Sequence, residues 1–175
     1  LSSYVEHGFI GVVLIADSNG IVLHKAYNGK GDHIDTSMAF AIASNAKCFT
    51  STAIMQLHEQ GKLSVNDPIT KYYTNVPSDK INITIHHLLT HTSGLDECYC
   101  IDGETDEQKL VDGILQSKLA EPVGSKWLYR NENYFLLDYI VEKVSKMNYR
   151  DYVQKNILDV AGMSHTGQSG QEKEK

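Results

Sequence analysis

The sequence has few cysteines, no long apolar run and no excess of basic residues, and each absence excludes a class of protein. Three cysteines cannot all pair with one another, so the sequence does not define a disulfide framework. The longest apolar stretch, from Phe9 to Ala16, has the length of a strand and falls far short of the roughly 20 residues of a transmembrane helix. The formal net charge of −6 argues against nucleic-acid binding, which requires a basic surface.

What is present is the composition of a globular protein. Of the 175 residues, 41% are hydrophobic and 22% are charged, which excludes wholesale disorder. The chain begins at Leu1 in ordinary polar sequence without an apolar leader, as we expect of a mature or trimmed protein.

The start of the chain predicts a β-hairpin. Residues 9–16 and 21–27 are rich in β-branched residues, and Asp17-Ser-Asn-Gly20 between them is a turn sequence. A two-stranded hairpin is marginal by itself, so its apolar residues call for further strands, and the sequence does not supply them.

The remainder of the chain predicts mostly helix and loop. Thr84 is expected to cap a helix of residues 85–91, Thr105 to open another with a capping box, and Asn131 to cap a third. The predicted helices cover residues 44–60, 85–91, 105–118, 131–147 and 149–158. We expect an α+β chain of three parts, namely a hairpin part (1–43), a helical domain (44–148) and a return segment with a mobile tail (149–175).

One helical segment has the pattern of a nucleophilic site. Lys47 is the only charged residue among residues 44–57, and a buried lysine must be paired or functional because burial penalises its charge. Ser44 lies three residues earlier, on the same helical face. A neutral lysine beside a serine hydroxyl can accept its proton and so produce a nucleophile without histidine. The alternative is that Ser44 caps the helix and Lys47 extends to solvent, and the spacing by itself does not decide between the two.

The wider sequence resembles the serine β-lactamase and penicillin-binding-protein family. The similarity is greatest to its branch of class C β-lactamases, D-alanyl-D-alanine carboxypeptidases and related esterases. A long match is Ile83-Thr-Ile-His-His-Leu-Leu-Thr-His-Thr-Ser-Gly-Leu95. Further matches, in the order of the family, lie in residues 8–14, 41–50, 53–64, 67–72, 129–137 and 161–166.

This resemblance implies a role for each of four residues. Ser44 would be the acylated nucleophile and Lys47 its proton partner, forming the S-x-x-K element of these enzymes. Tyr129 and Asn131 would form the second element, Y-x-N, in which the phenol relays protons to the leaving group and the amide holds the substrate or Lys47. No cofactor and no metal are implied.

The second element raises two questions. Y-x-N occurs twice, because Tyr73-Thr-Asn75 also fits, and the residues alone do not choose between the copies. The resemblance favours Tyr129, since Tyr73 falls in a region expected to be surface structure. Arg130 stands where this branch usually has a small residue, so it either favours substrates that carry a carboxylate or points to solvent.

The third element of the family is not found. It is a late strand carrying Lys-Thr-Gly or His-x-Gly, which borders the site and donates one of two oxyanion N–H groups, the other coming from Ser44. The resemblance therefore implies a β-lactamase/transpeptidase-like fold of which this chain is the N-terminal portion. A C-terminal fragment or a second chain would complete it, and the isolated chain is expected to be a poor catalyst.

Histidines and cysteines offer a different interpretation. His87 and His91 lie four residues apart with His86 adjacent, a spacing compatible with metal ligands, but no H-E-x-x-H occurs. The resemblance makes them structural supports near the site. Cys48 is expected to be a small buried residue, and Cys98 and Cys100 to lie in a loop.

The function predicted from the sequence is a serine hydrolase that acts through an acyl-enzyme on a β-lactam, a D-Ala-D-Ala peptide or an ester. The alternatives are a penicillin-binding or sensor module without turnover and, less favoured, a histidine-based metal hydrolase. The implied partner is a small-molecule or peptide substrate, with no nucleic acid and no membrane span. Members of this family usually work outside the cytoplasm, so an extracytoplasmic location is expected.

Overall fold

The computed structural model describes residues 2–29, 33–98 and 106–167, and the chain divides into two compact units, residues 1–41 and residues 42–175. Thr105, Cys100 and the predicted mobile tail beyond residue 167 lie outside the described residues.

The first unit contains a short helix, α1 (Ser2–Glu6), and the predicted hairpin of β1 (Gly11–Asp17) and β2 (Gly20–Tyr27). The strands pair antiparallel, with a bulge at Ile15/Ala16, and no third strand joins them in the described part of the chain. Apolar side chains of the hairpin stay between 47% and 67% exposed, namely Leu14, Ile15, Ile21 and Val22. The hairpin prediction is confirmed, and its apolar residues lack the cover that a larger sheet would give them.

The second unit is helical. Its α-helices are α2 (Lys47–Glu59), α3 (Ile85–Leu89), α4 (Glu107–Gln116), α5 (Asn131–Ser145) and α6 (Tyr149–Val153). The described residues of this unit also form two 3₁₀ helices (Ala43–Ala46 and Ile69–Lys71) and a π-helical segment (Gln154–Leu158). The predicted α+β character is confirmed. No helix in the described part of the chain is both long and apolar enough to cross a membrane.

The helices α2 and α5 pack against each other in the core of this unit, to which α3, α4 and α6 also contribute buried residues. Both helices bury apolar side chains completely, and removal of these side chains from water is the main favourable contribution to folding. The buried residues are Ala53, Ile54 and Leu57 of α2, with Leu136, Leu137, Ile140 and Val141 of α5. The same packing brings the N-terminal ends of α2 and α5 together.

The helix starts confirm one predicted cap and correct another. Thr84 caps α3 as predicted, because its hydroxyl accepts from the backbone N–H of His87 while the His87 ring reaches back to the N–H of Thr84. Asn131 is the first residue of α5 and not its cap, which is Arg130 in an extended conformation. The Asn131 amide is therefore available for a partner outside its own helix.

The cysteines also differ from expectation. Cys48 is exposed and free, because it lies on the outer side of α2, so the prediction of a buried residue was wrong. Cys98 is buried and disulfide-bonded.

Candidate functional site

Ser44 and Lys47 meet at the start of α2. Ser44 lies in the 3₁₀ turn Ala43–Ala46, and Lys47 is the first residue of the α-helix that follows. Because a 3₁₀ turn has three residues, side chains three apart are nearly eclipsed. The Lys47 Nζ accordingly lies 3.5 Å from the Ser44 Oγ, at the limit of a hydrogen bond. A helix N-terminus also favours a developing negative charge, which suits a serine that becomes an alkoxide.

Tyr129 and Asn131 lie at the start of α5 and contact Ser44 and Lys47 from there. They flank Arg130 where an extended segment enters α5. The Tyr129 hydroxyl donates to the Ser44 Oγ at 2.7 Å, and the Lys47 Nζ donates to the Asn131 Oδ1 at 2.8 Å. Four side chains that the sequence places about 85 positions apart in two pairs thus form one connected hydrogen-bond network.

Lys47 dominates the electrostatics of this network. Its Nζ lies 5.0 Å from the centre of the Tyr129 ring and 5.5 Å from that of Tyr134. The Lys47 ammonium, followed by the Ser44 hydroxyl, lowers the pKa of Tyr129 below its ordinary value. The phenol therefore gives up its proton more readily than a free tyrosine.

The His91 ring packs against Tyr129 and holds the backbone that follows it. Its ring is 8% exposed and lies 4.6 Å from the Tyr129 ring, centre to centre. Its Nδ1 accepts from the backbone N–H of Arg130 at 3.2 Å and is 3.1 Å from the Asn133 Nδ2. Burial, and then the charge of Lys47, lower the pKa of His91. A neutral ring with Nδ1 free to accept is the form that these two contacts require.

Backbone hydrogen bonds join the loop after α3 to the segment that leads to Tyr129. The carbonyls of His91, Thr92 and Gly94 accept from Leu128, Gly124 and Ala120, respectively. Gly94 has a φ of 78°, and a Cβ at this position would lie 2.1 Å from the Glu121 carbonyl oxygen. Only glycine permits this approach. The loop after α3 therefore fixes the position of the segment that carries Tyr129 through backbone hydrogen bonds.

The Arg130 guanidinium is held by two hydrogen bonds. Its Nη2 donates to the Asp96 Oδ1 at 3.2 Å, and its Nη1 donates to the carbonyl of Tyr129 at 3.0 Å. The side chain is 25% exposed and does not extend freely into solvent, while a preference for substrates with a carboxylate stays a prediction.

The other Y-x-N triplet does not join the site. Tyr73 is 5% exposed and its hydroxyl donates to the Leu136 carbonyl. The expectation that Tyr73 is surface structure was wrong, because the ring fills the core beside α5 and stacks on Tyr139.

The histidines have structural partners. His87 belongs to the α3 capping box and His91 to the support just described. Among residues 2–29, 33–98 and 106–167, no group of three or more His, Cys, Asp or Glu side chains is placed to hold a metal ion.

One further triplet, His165-Thr166-Gly167, matches His-x-Gly in letters. It lies in turns after the π-helical segment, with the Thr166 N–H donating to the Met163 carbonyl, and not in a strand. It therefore does not provide the third element.

Sequence reasoning missed two features of the site. Ala43, directly before Ser44, has a φ of 44°, which is strained for a residue with a side chain. Nothing in the sequence marks it. The clamp between Arg130 and Asp96 joins residues 34 positions apart, and only the unusual arginine could have drawn attention to it.

Comparison with protein families gives one match over almost the whole chain. The beta-lactamase family model matches residues 2–175. PbpX of Bacillus subtilis (strain 168) is 35% identical over 173 residues, which cover 95% of this chain and 44% of PbpX.

Solved structures agree with this. The structure of a penicillin binding protein from Bacillus halodurans has a TM-score of 0.79 at 26% identity, covering 95% of this chain and 56% of that protein. A D-stereospecific amidohydrolase from Streptomyces sp. has a TM-score of 0.64 at 26% identity, covering 70% of this chain and 42% of that one. The chain thus spans about half of the length of each of these proteins, and the predicted β-lactamase/transpeptidase-like fold is confirmed.

Proposed function

Because the chain belongs to the beta-lactamase family, we propose that it is a serine hydrolase, or part of one, in which Ser44 forms an acyl-enzyme. The observation that carries this proposal is the contact between the Tyr129 hydroxyl and the Ser44 Oγ at 2.7 Å, with the Lys47 Nζ beside both. A nucleophile, a base within reach of it and a cation that eases deprotonation of that base are the parts that covalent catalysis requires.

The proton movements follow from the contacts. Ser44 attacks a carbonyl carbon and passes its proton to the Tyr129 phenolate. Lys47 in its charged form stabilises the phenolate, which is the reason for the lowered pKa of Tyr129. The proton then goes from Tyr129 to the leaving nitrogen or oxygen as the tetrahedral intermediate collapses. Water, activated by the same groups, hydrolyses the acyl-enzyme.

Asn131 has the geometry of a positioning group. Its Oδ1 accepts from Lys47 and so fixes the direction of the amide. The Nδ2 of the same amide remains to donate to a carbonyl oxygen of the substrate, as amides at binding sites do. Asn131 would thus connect the position of the substrate to that of the lysine.

The proposed substrates are carbonyl compounds that a serine can acylate from, namely a β-lactam, a D-alanyl peptide or amide, or an ester. The names of two similar proteins, a penicillin binding protein and a D-stereospecific amidohydrolase, support this class.

A second candidate is a module that is acylated without turnover. This candidate rests on the sheet of the described residues, which has only the strands β1 and β2 and not the late strand that carries the third element of the family. One lost oxyanion donor costs roughly 100-fold to 1000-fold in rate.

Labelling with a fluorescent penicillin tests the acylation step. We expect the chain to gain the mass of one penicillin, and Ser44→Ala to gain none. Thr52→Ala is the matched control, because Thr52 lies exposed on the same helix and its hydroxyl donates to the Cys48 carbonyl, away from Ser44. Equal labelling of Ser44→Ala and the parent chain would refute the proposal.

Turnover distinguishes the two candidates. Release of product from a chromogenic cephalosporin, a D-amino acid amide or a p-nitrophenyl ester, lost in Ser44→Ala, supports the hydrolase. A stable adduct without product release supports the module without turnover. Chelator-sensitive activity that survives Ser44→Ala would contradict both.

A further inference from the structure

We propose that Arg130 and Asp96 form a positioning pair that holds Tyr129 and Asn131 against Ser44 and Lys47. The Arg130 side chain contacts Asp96, whereas the Tyr129 side chain of the same segment contacts Ser44. Its consequence for catalysis rests on the proposed function, but its geometric claim does not.

The backbone at Arg130 separates the two faces of this segment. Arg130 has φ −142° and ψ 132°, an extended conformation in which successive side chains point to opposite sides. Tyr129 faces Ser44 and Asn131 is turned to Lys47. The Arg130 side chain lies on the opposite side and can only act through the backbone that it shares with them.

Arg130 donates three hydrogen bonds, and one of them goes from its side chain to the backbone of this segment. Its N–H donates to the His91 Nδ1, its Nη1 to the Tyr129 carbonyl and its Nη2 to the Asp96 carboxylate. Its Nε is buried and has no hydrogen-bond partner in the described part of the chain. Asp96 is the carboxylate that pairs with this guanidinium, and its removal would take that counter-charge away.

Asp96 is itself held in place. It lies between Ser93, whose hydroxyl donates to the Asn133 Oδ1, and Cys98, whose N–H donates to the Glu132 carboxylate. Both partners belong to the first turn of α5. The loop is thus anchored to α5 on each side of Asp96, and the ion pair extends this anchoring to the residue before the helix.

A second ion pair provides a matched control. Lys126 and Glu121 are 2.6 Å apart on the same segment, and Lys126 is 62% exposed. No hydrogen bond connects either of them to Tyr129 or Asn131 in the described residues. Removal of this pair should therefore leave the site unchanged.

The test follows the pKa of Tyr129 itself, by NMR of the chain with ¹³C at the ring Cζ of its tyrosines, with Tyr129→Phe identifying the resonance. The groups that face Tyr129 are Lys47 and Ser44 across the network, the His91 ring and the Trp127 ring. If Arg130 positions the phenol, then Arg130→Ala and Asp96→Asn each move its pKa up toward the ordinary value of about 10, because contact with Lys47 is lost.

The pattern among variants identifies the pair. The double variant should shift the pKa of Tyr129 no further than either single variant, Arg130→Lys should restore part of the effect, and Lys126→Ala should leave it unchanged. A Tyr129 pKa that stays at its parent value in folded Arg130→Ala and Asp96→Asn overturns the inference, and additive shifts overturn the pairing. The thermal unfolding midpoint shows whether each variant is folded.

Acylation by the fluorescent penicillin separates this inference from the proposed function. Where the parent chain is labelled, Arg130→Ala should slow labelling by about 10-fold to 100-fold, as a misplaced group does. An unlabelled parent chain would count against the proposed function alone, since the NMR titration still decides whether Arg130 positions Tyr129.

Discussion

Tyr129 and Tyr73 begin the two Y-x-N triplets of the chain. Tyr129 lies where the N-terminal ends of α2 and α5 meet, which we call the open end of this helix pair, and Tyr73 lies in the core. Tyr129 is 38% exposed and donates to Ser44, whereas Tyr73 is 5% exposed and donates to the Leu136 carbonyl. Lys47 lowers the pKa of Tyr129, while burial raises that of Tyr73. The same three letters thus give a reactive phenol in one place and an inert one in the other, and the surroundings make the difference.

The charged groups of the same helices show a similar contrast. Lys47, at the open end, has a hydrogen bond to Asn131 and two aromatic rings beside it. Asp138 lies two turns further along α5, and its Oδ1 is buried without a hydrogen-bond partner in the described residues. Burial raises the pKa of Asp138 to about 7. Lys47 thus has partners for its charge, whereas Asp138 keeps its proton to a much higher pH than an exposed aspartate does.

Removal of the hydroxyl of Tyr129 or of Tyr73 should have the largest and most different effects on acylation. Tyr129→Phe should slow acylation of Ser44 by roughly 100-fold to 1000-fold, because a proton relay is lost. Tyr73→Phe should leave acylation unchanged and lower the free energy of unfolding by about 1 kcal/mol, the value of one hydrogen bond. Time-resolved labelling and urea unfolding measure the two effects. Equal loss of labelling in both variants would show that the triplets are not distinct.

The buried acid gives a pH-dependent prediction. The folded chain keeps a proton on Asp138 up to about pH 7, while the unfolded chain releases it near the ordinary aspartate pKa of 3.8. Stability conferred by Asp138 is therefore present at acid pH and is lost as the pH rises from about 4 to 7. Asp138→Asn should be more stable than the parent chain by roughly 4 kcal/mol above pH 7.

Urea unfolding at several pH values measures this difference. The advantage of Asp138→Asn should shrink toward zero near pH 4. Asp151→Asn is the control, because Asp151 is exposed on α6 and should give a difference that does not vary in this way. An advantage of Asp138→Asn that is the same at every pH would contradict a buried, protonated carboxyl.

Two glycines sharpen the comparison between the site and the rest of the unit. Gly94 and Gly61 have positive φ values of 78° and 68°, but only at Gly94 would a Cβ meet a neighbour, the Glu121 carbonyl oxygen. Gly94→Ala should therefore lower the free energy of unfolding by roughly 2 kcal/mol more than Gly61→Ala. It should also slow acylation of Ser44, because the loop that positions the segment before Tyr129 would shift. Equal destabilisation by the two substitutions would remove the argument for a close backbone approach.

Much of the fold was readable from local sequence. Asp17-Ser-Asn-Gly20 predicted the hairpin turn, and Thr84 predicted the start of α3, because turn and cap residues act through their own backbone. Asn131 was misjudged as a cap for the same reason. Its preferred partner, Lys47, lies 84 positions away, and no local rule contains that contact.

The site could be predicted only in part. The spacing of Ser44 and Lys47 follows from helical geometry, so the pair was visible in the sequence. The choice of Tyr129 over Tyr73 depended on resemblance, because burial is a property of the folded chain. The clamp of Arg130 on Asp96 and the strained φ of Ala43 depend on tertiary packing, which a single sequence does not display.

Tandem mass spectrometry of the penicillin-labelled chain tests the central claim most directly, since it locates the acyl group on one side chain. We predict a single adduct on the Ser44 Oγ, formed in the parent chain and in Tyr73→Phe and slowed in Tyr129→Phe. An adduct on any other residue, or no adduct on a chain that NMR shows to be folded, would contradict the assignment of Ser44 as the nucleophile.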